Sequence, residues 1–154
     1  MRTRSLGGAR ADTRYKLAMS ETARLYFDDP FLTRFDSSVS AHGEHRGRPS
    51  VILAASAFYP EAGGQMADVG TLAATARERE RSSANEGDAV RVVDVQVDDD
   101  GLVHHVLADG SERERLPVGA AVRGELDRAR RRVHMALHTG QHLLSAALLE
   151  RCGA

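Results

Sequence analysis

The sequence predicts an α+β protein that is mainly β, in which a small β-barrel is followed by a long helix. Short segments bounded by Gly, Pro or Asp follow one another from Thr22 to Leu126, as in a chain of short strands. At Asp127 the apolar residues change abruptly to a helical period. We therefore expect a barrel domain over residues 21–126 and, over residues 127–154, the first helix of an incomplete α+β domain.

The first half of the barrel is expected to hold three strands, at Ala23–Phe27, Ser37–His42 and Ser50–Phe58. Ahead of them, residues 1–20 are positively charged but are not followed by the apolar core of a signal peptide. We therefore expect this opening segment to be a disordered extension.

The second half of the barrel has the clearer strand pattern. Ala89–Val97 alternates valine with polar residues, Asp98–Gly101 supplies a turn, and Leu102–Ala108 resumes the extended pattern, which together predict a β-hairpin. Leu116–Asp127 predicts a further strand after a Pro-Val-Gly turn. The charged segment Arg77–Asp88 has no periodicity and is expected to be an exposed loop.

The final helix is expected to begin at Asp127, whose side chain is a favourable N-cap. At ~100° per residue, one stripe of this helix collects small and apolar residues that we expect to pack. They are Val133, Ala136, Leu137, Gly140, Leu144, Ala147 and Leu148. A glycine inside a helix costs ~1 kcal/mol, so its place on the stripe suggests that another group approaches closely there.

Composition excludes several classes of protein. Of 154 residues, 42% are hydrophobic and 28% charged, and no apolar run reaches the ~18–20 residues of a membrane span. The single cysteine, Cys152, excludes an intrachain disulfide, so we expect a cytoplasmic protein.

The net charge of the chain is −1, so any contact with RNA must be local. A local cluster of arginines exists at Arg123, Arg128, Arg130, Arg131 and Arg132.

Three histidines, His134, His138 and His142, recur at every fourth position of the predicted helix. Neighbours in such a row lie ~6 Å apart along the axis, whereas the outer two lie ~12 Å apart. A metal with bonds of ~2.0–2.1 Å can therefore bind one neighbouring pair only. We expect the pair His138 and His142, because apolar neighbours favour a partly buried site and because arginines beside His134 oppose a cation. A polar flank of a core helix is the simpler interpretation of the same spacing.

Two histidines do not complete a zinc site, which normally has three or four protein ligands. Cys152 lies ~15 Å beyond His142 on the same helix and cannot reach the metal. The remaining histidines are more readily interpreted as loop or strand residues; they are His42, His45, His104 and His105.

The segment Phe58–Gly70, "FYPEAGGQMADVG", follows an apolar strand and combines proline, glycines, glutamine and two acids. Glycines allow a backbone to approach a ligand closely and to offer amide hydrogens to its oxygen atoms. This composition predicts a pliable, ligand-binding loop.

That loop, the hairpin "GLVHHVLADG" and the segment "PVGAAVRGELDRARRRVHMALHTGQHLLSAALLE" together resemble the free-standing alanyl-tRNA editing proteins, which are related to the editing domain of alanyl-tRNA synthetase. The resemblance covers Ala23 to the end. It implies a translation-factor-like β-barrel followed by an α+β editing domain. It also implies a trans-editing hydrolase that removes serine or glycine from mischarged alanine tRNA, with tRNA as partner and Zn²⁺ as cofactor.

By position, the resemblance makes His138 and His142 the first two zinc ligands and places the family's remaining ligands, a Cys and a His, beyond Ala154. It also implies residues at or near the pocket for the aminoacyl end. These are Gln141 and Thr139 on the helix, and Gly63, Gly64 and Gln65 on the loop. Ala62 and Met66 depart from the family pattern, where glycine and proline are common. Gln141 is a candidate for recognising serine by a hydrogen bond.

Three other interpretations stay open at this point. One is a non-catalytic tRNA- or RNA-binding barrel whose arginines contact phosphates, which predicts binding without hydrolysis. Gly-Gly-Gln is also the tripeptide of peptide release, although other release-factor features are missing from the sequence. A metal-free barrel with a histidine-bearing helix face is the simplest interpretation.

Overall fold

The computed structural model describes residues 21–75 and 89–153. The expected extension over residues 1–20 and the expected loop Arg77–Asp88 lie outside these ranges. The described strands are β1 (Ala23–Arg24), β2 (Arg34–His45), β3 (Arg48–Leu53), β4 (Ala55–Ser56), β5 (Gly70–Ala74), β6 (Val90–Val97), β7 (Val103–Leu107) and β8 (Ala121–Leu126). The helix α1 (Arg128–Cys152) follows, and 3₁₀ helices occupy Leu25–Phe27 and Gly110–Arg115.

Six of the strands close into an antiparallel barrel in the order β2, β3, β7, β6, β5, β8, with β8 pairing back to β2. The predicted α+β class, mainly β with a barrel before a long helix, is thereby confirmed. The strand β5 is absent from the sequence-based prediction. Its residues, Gly-Thr-Leu-Ala-Ala, have low β-propensity, and it is held by pairing with β6 and β8 on its two sides.

The expected first strand, Ala23–Phe27, is only partly correct. Its first two residues form β1, which pairs in parallel with β4, and the remaining three turn into a 3₁₀ helix. The turn buries Tyr26, whose ring meets that of Tyr59 edge to face at a centroid distance of 5.0 Å. An aromatic contact between distant segments therefore ends a strand that the local pattern would have continued.

The barrel interior is filled by the inward-facing residues of all six strands and by Phe58, which is fully buried. Phe58 meets Phe35 edge to face at 5.8 Å. Phe35 in turn lies opposite Gly124 in the register of β2 with β8. A Cβ atom at Gly124 would lie 2.4 Å from two carbons of the Phe35 ring, so this position accepts no side chain.

We expect Gly124→Ala to lower the free energy of unfolding by about 1–3 kcal/mol, because the added methyl group overpacks the interior against Phe35. Gly110→Ala is the matched control, since the nearest atom to its new Cβ would be in Pro49 at 3.8 Å, an ordinary contact. Urea denaturation of both variants measures the difference. Equal stability of the two would contradict the assigned packing.

His105 of β7 is a buried polar residue of the interior. Its Nε2 lies 2.7 Å from Ser56 Oγ and its Nδ1 lies 3.2 Å from the carbonyl oxygen of Val51. Since a carbonyl oxygen only accepts, Nδ1 carries the hydrogen and Nε2 accepts from the serine. Burial lowers the pKa of His105 to about 4, so the ring is neutral near pH 7.

The low pKa of His105 predicts that stability falls on acidification. Between its ordinary value of 6.5 and about 4, the unfolded chain binds a proton at this residue and the folded chain does not. The free energy of unfolding should therefore decrease as pH falls through this window, by up to about 1.4 kcal/mol per pH unit. Chemical denaturation across the window compares the protein with His105→Gln, which cannot titrate and should show a shallower slope. Identical slopes would contradict the assignment.

Candidate functional site

The segment predicted as a pliable loop is a hydrogen-bonded hairpin with Gly63 and Gly64 at its tip. Ala62 and Gln65 exchange both backbone hydrogen bonds across the turn, at 3.1 and 2.9 Å. The two glycines have φ angles of +58° and +80°, the left-handed conformation that a two-residue type I′ turn requires at both central positions. The glycines thus shape an exposed tip, which we call the glycine hairpin (residues 59–68).

The base of the glycine hairpin is fixed to itself and to the barrel. The amide of Tyr59 donates to Asp68 Oδ2 at 2.7 Å, and the amide of Asp68 donates to the carbonyl of Tyr59 at 3.0 Å. The amide of Glu61 donates to the carbonyl of Val95 in β6 at 3.0 Å. The tip is therefore held at a defined place beside the barrel wall.

A buried ion pair joins the start of α1 to the glycine hairpin. Arg131 and Asp68 are 4% and 1% exposed, and Arg131 Nη2 lies 2.5 Å from Asp68 Oδ2. Arg131 Nε also donates to both carboxylate oxygens of Asp68, at 2.9 and 3.1 Å. The guanidinium further donates to the carbonyls of Pro30 and Ala57, each at 2.6 Å. One side chain thereby connects α1 with three segments of the barrel domain.

Two neighbouring residues complete the junction. Arg130 Nε donates to the carbonyl of Ala67, at 3.1 Å, on the returning arm of the hairpin. Asp127 caps α1 by accepting from the amide of Arg130 at 3.0 Å, which confirms the predicted N-cap. The orientation of α1 relative to the hairpin is therefore set within its first turn.

Beyond this junction, α1 and the glycine hairpin enclose a cavity of about 190 Å³. The hairpin and one face of the helix provide its lining, since helix positions three and four apart lie side by side. The lining residues are Gly64, Gln65, Met66, His134, Leu137, His138 and Gln141. We call this space the hairpin cavity.

Four of the seven residues that the resemblance implies for the site line the hairpin cavity: Gly64, Gln65, His138 and Gln141. Gly63, at the outer side of the turn, does not line it. Thr139 is also outside the lining, and its hydroxyl donates to the carbonyl of Met135 in its own helix at 3.0 Å. His142 does not line the cavity either, and the functional roles implied for these residues stay predictions.

His138 and His142 face each other, with 3.0 Å between their Nε2 atoms. Two nitrogens bound to one tetrahedral zinc at ~2.0–2.1 Å lie about 3.3 Å apart, so the pair fits two positions of such a site with a small adjustment. Within residues 21–75 and 89–153, no group of three or more His, Cys, Asp or Glu residues is arranged to hold a metal. The role of the pair as metal ligands stays a prediction.

The expected burial of this pair is wrong, since both imidazoles are exposed. The predicted apolar stripe is also uncovered: Leu137 is 66% exposed, and apart from the adjoining backbone of α1 and the two chain neighbours, no described atom would lie within 4 Å of a Cβ at Gly140. The physical reason is that the described side-chain hydrogen bonds from α1 to the barrel domain are made by Arg130 and Arg131 in its first turn, whereas every described residue from Ala136 onward is exposed. The periodicity correctly indicated an apolar face, but the face has no described cover.

The arginine cluster does not form one free basic surface. Arg123 is paired with Asp36 at 2.8 and 3.2 Å, and Arg130 and Arg131 turn toward the hairpin. The other two arginines of the cluster, Arg128 and Arg132, are exposed. Clustering in the sequence therefore does not show which arginines make contacts within the protein and which are exposed to a binding partner.

Several residues of the site were missed by sequence reasoning. The ion pair of Asp68 and Arg131 joins residues far apart in the chain, so no local pattern could reveal it. His134 had been set aside as a metal ligand, yet it lines the hairpin cavity together with Leu137 and Met66. His134 lies on the same face of the helix as His138 and Gln141, and this shared face is the sequence signal that indicates a place in the cavity.

A closed barrel whose glycine hairpin meets a histidine-bearing helix fits the class of tRNA-handling domains that the sequence motifs resemble. The family model of class II tRNA synthetases (A) matches residues 15–130, which is most of the chain. The chain belongs to this family. The match covers the barrel and the start of α1, and it ends before His134.

The chain is also similar to alanine-tRNA ligases. It is 40% identical to that of Ignicoccus hospitalis over 132 residues, which is 86% of this chain and 12% of the relative. It is 35% identical to that of Pyrococcus furiosus over 135 residues, 88% of this chain and 13% of the relative. The chain thus spans about an eighth of the length of these relatives. The predicted relationship to alanyl-tRNA synthetase is confirmed.

Across the described residues, no helix is both long and apolar enough to span a membrane.

Removing the arginine of the buried ion pair should be strongly destabilising. Arg131→Met leaves the carboxylate of Asp68 buried without its cation, which should lower the free energy of unfolding by about 3–5 kcal/mol. Arg132→Met, at the exposed neighbouring position, should change it by less than about 0.5 kcal/mol. Guanidinium denaturation compares the two variants.

A double-mutant cycle separates the charge from the packing of Arg131. In an Asp68→Asn background the same Arg131→Met change should cost less, because no carboxylate is left unpaired. An equal cost in both backgrounds would show that the pair is not coupled.

Proposed function

We propose that the chain is part of an editing hydrolase that deacylates alanine tRNA mischarged with serine or glycine. One observation carries the proposal: the hairpin cavity, in which Gly64 and Gln65 face His138 and Gln141. The similarity to alanine-tRNA ligases supports alanine tRNA as the partner. Because the chain spans about an eighth of those relatives, editing is proposed for this site on its own geometry.

The size of the hairpin cavity favours the aminoacyl end of the tRNA as its ligand. At about 190 Å³ it is smaller than the ~300–1,000 Å³ of pockets that enclose drug-sized molecules. A seryl or glycyl group suits such a volume, whereas the terminal adenosine would lie outside, along the exposed tip of the hairpin. Tip amides at Gly63 and Gly64 would then be available to ribose or phosphate oxygens.

The chemistry asked of the site is modest, because an aminoacyl ester is already activated. Hydrolysis requires mainly that a water molecule and the ester be held close together in a reactive orientation. Gln65 and Gln141 each offer one amide donor group and one carbonyl acceptor to the cavity, which suits a hydroxyl-bearing acyl group. A site built to bond the serine hydroxyl penalises analogues that lack it, since its polar groups would be left unpaired.

His138 and His142 are the residues that would hold Zn²⁺. Their facing Nε2 atoms, 3.0 Å apart, are the observation that fits the ion, and both rings must be neutral to bind it. When bound, the ion would act as a Lewis acid beside the ester or would order the site. Since two imidazoles fall short of the usual three or four protein ligands, the proposal requires further ligands from outside the described residues.

A deacylation assay tests the proposed function. A form of the chain extended past Ala154, where the resemblance places the further ligands, is supplied with Zn²⁺ and incubated with alanine tRNA carrying serine, glycine or alanine. Seryl and glycyl esters should be hydrolysed faster than the alanyl ester, and the variant His138→Ala/His142→Ala should lose at least tenfold in rate. His42→Gln is the control, because this histidine lies in β2 and does not line the cavity.

Equal rates for the double variant and the unaltered protein would remove the histidine pair from the mechanism. Binding of the tRNA with no hydrolysis in any form would instead support the non-catalytic tRNA-binding alternative. Arg131 is buried against the glycine hairpin and Arg130 donates to it, so fewer of the clustered arginines are left to contact phosphates, which weighs against that alternative.

A further inference from the structure

His134 lines the hairpin cavity and lies outside the facing pair of histidines on α1. His138 directs its Nε2 toward His142, one turn further along α1, which leaves His134 outside the pair. Of the three histidines in the row, His134 alone is half-buried, and it lines the cavity beside Gln65 and Gln141. A half-buried imidazole in the wall of a small cavity is placed to contact a ligand bound there.

The two ring nitrogens of His134 have different surroundings. Nδ1 is shielded from solvent and has no hydrogen-bond partner among the described residues. Nε2 is not among the shielded atoms, so it is the nitrogen that a ligand can reach. Because a buried N–H without an acceptor is less tolerated than a buried unpaired acceptor, the hydrogen of the neutral ring is expected on Nε2. His134 therefore presents a donor to the cavity.

The cavity lining restricts which ligand atom can accept this hydrogen. Among the seven described residues of the lining, none is acidic, so no carboxylate is present to recognise an ammonium group. An ammonium is also a donor only and cannot pair with an N–H. The complementary ligand atom is a hydrogen-bond acceptor, such as the oxygen of a hydroxyl or of an acyl carbonyl.

We propose that His134 is a substrate-binding residue whose Nε2–H donates a hydrogen bond to an oxygen of the acyl group in the hairpin cavity. The inference rests on the proposed function, since it takes the acyl group to be that of an aminoacyl ester. Two oxygens share the required chemistry. Donation to the serine hydroxyl would make His134 a specificity residue, whereas donation to the acyl carbonyl would make it a general positioning residue.

The test is a binding measurement with non-hydrolysable probes. They are 3′-serylamino-3′-deoxyadenosine and its glycyl counterpart, in which an amide replaces the ester. Calorimetric titration of the full chain compares the unaltered protein with His134→Leu, which has no donor, and His134→Gln, whose side-chain Nε2 can supply one. Leu143→Ala is the control, because this exposed residue lies on the opposite face of α1.

We expect His134→Leu to weaken binding of the seryl probe about tenfold, the effect of one lost hydrogen bond, and His134→Gln to restore most of it. Weakening of both probes assigns the acyl carbonyl, and weakening of the seryl probe alone assigns the hydroxyl. Unchanged affinity of both probes in His134→Leu overturns the inference while leaving the proposed function intact. Failure of the unaltered protein to bind either probe overturns both.

A second measurement does not depend on the probes. Long-range ¹H–¹⁵N NMR spectra of the free protein at alkaline pH should show the His134 ring in the Nε2–H form. For the calorimetric titrations, thermal unfolding first verifies that each variant is folded. A ring found in the Nδ1–H form would overturn the inference, because the cavity would then face an acceptor.

Discussion

The position of the candidate site depends on the buried ion pair of Arg131 with Asp68. Removing two charges from water costs several kcal/mol per ion unless their remaining hydrogen bonds are also satisfied. Here the carboxylate accepts from Tyr59 as well, and the guanidinium donates to two backbone carbonyls besides. These directional hydrogen bonds fix the position of the two side chains relative to each other, which charge attraction alone would not do. It fixes the glycine hairpin and the start of α1 as one unit.

A helix transmits that geometry because its backbone is rigid over a few turns. From Arg131 to Gln141 the axis rises ~15 Å, so the first turn determines where the cavity-lining face lies. The hairpin contributes the complementary constraint: two positive φ angles at Gly63 and Gly64 place Gln65 and Met66 opposite that face. Neither element alone forms the cavity. Its shape follows from a turn type, a helical period and one ion pair.

The features that could be predicted from sequence are those with local causes. The hairpin of β6 and β7, the N-cap at Asp127 and the helical period of α1 each follow from a few adjacent residues. The strand β5 and the pairing of Asp68 with Arg131 depend on distant partners, so no local pattern revealed them. Burial of His138 failed as a prediction for a related reason. Periodicity identifies an apolar face, but burial depends on what covers that face.

The three histidines of α1 differ in which contacts determine the positions of their rings. His134 is half-buried where the helix still faces the hairpin, so the barrel domain determines its surroundings. His138 and His142 are exposed, and only the helical spacing brings their Nε2 atoms to 3.0 Å. The wall of the hairpin cavity is therefore formed by the glycine hairpin together with the first half of α1. The proposed acyl-group binding and the proposed metal binding can consequently be tested separately by substituting His134 and His142, because His134 lines the cavity and lies outside the facing pair, whereas His142 belongs to the pair and does not line the cavity.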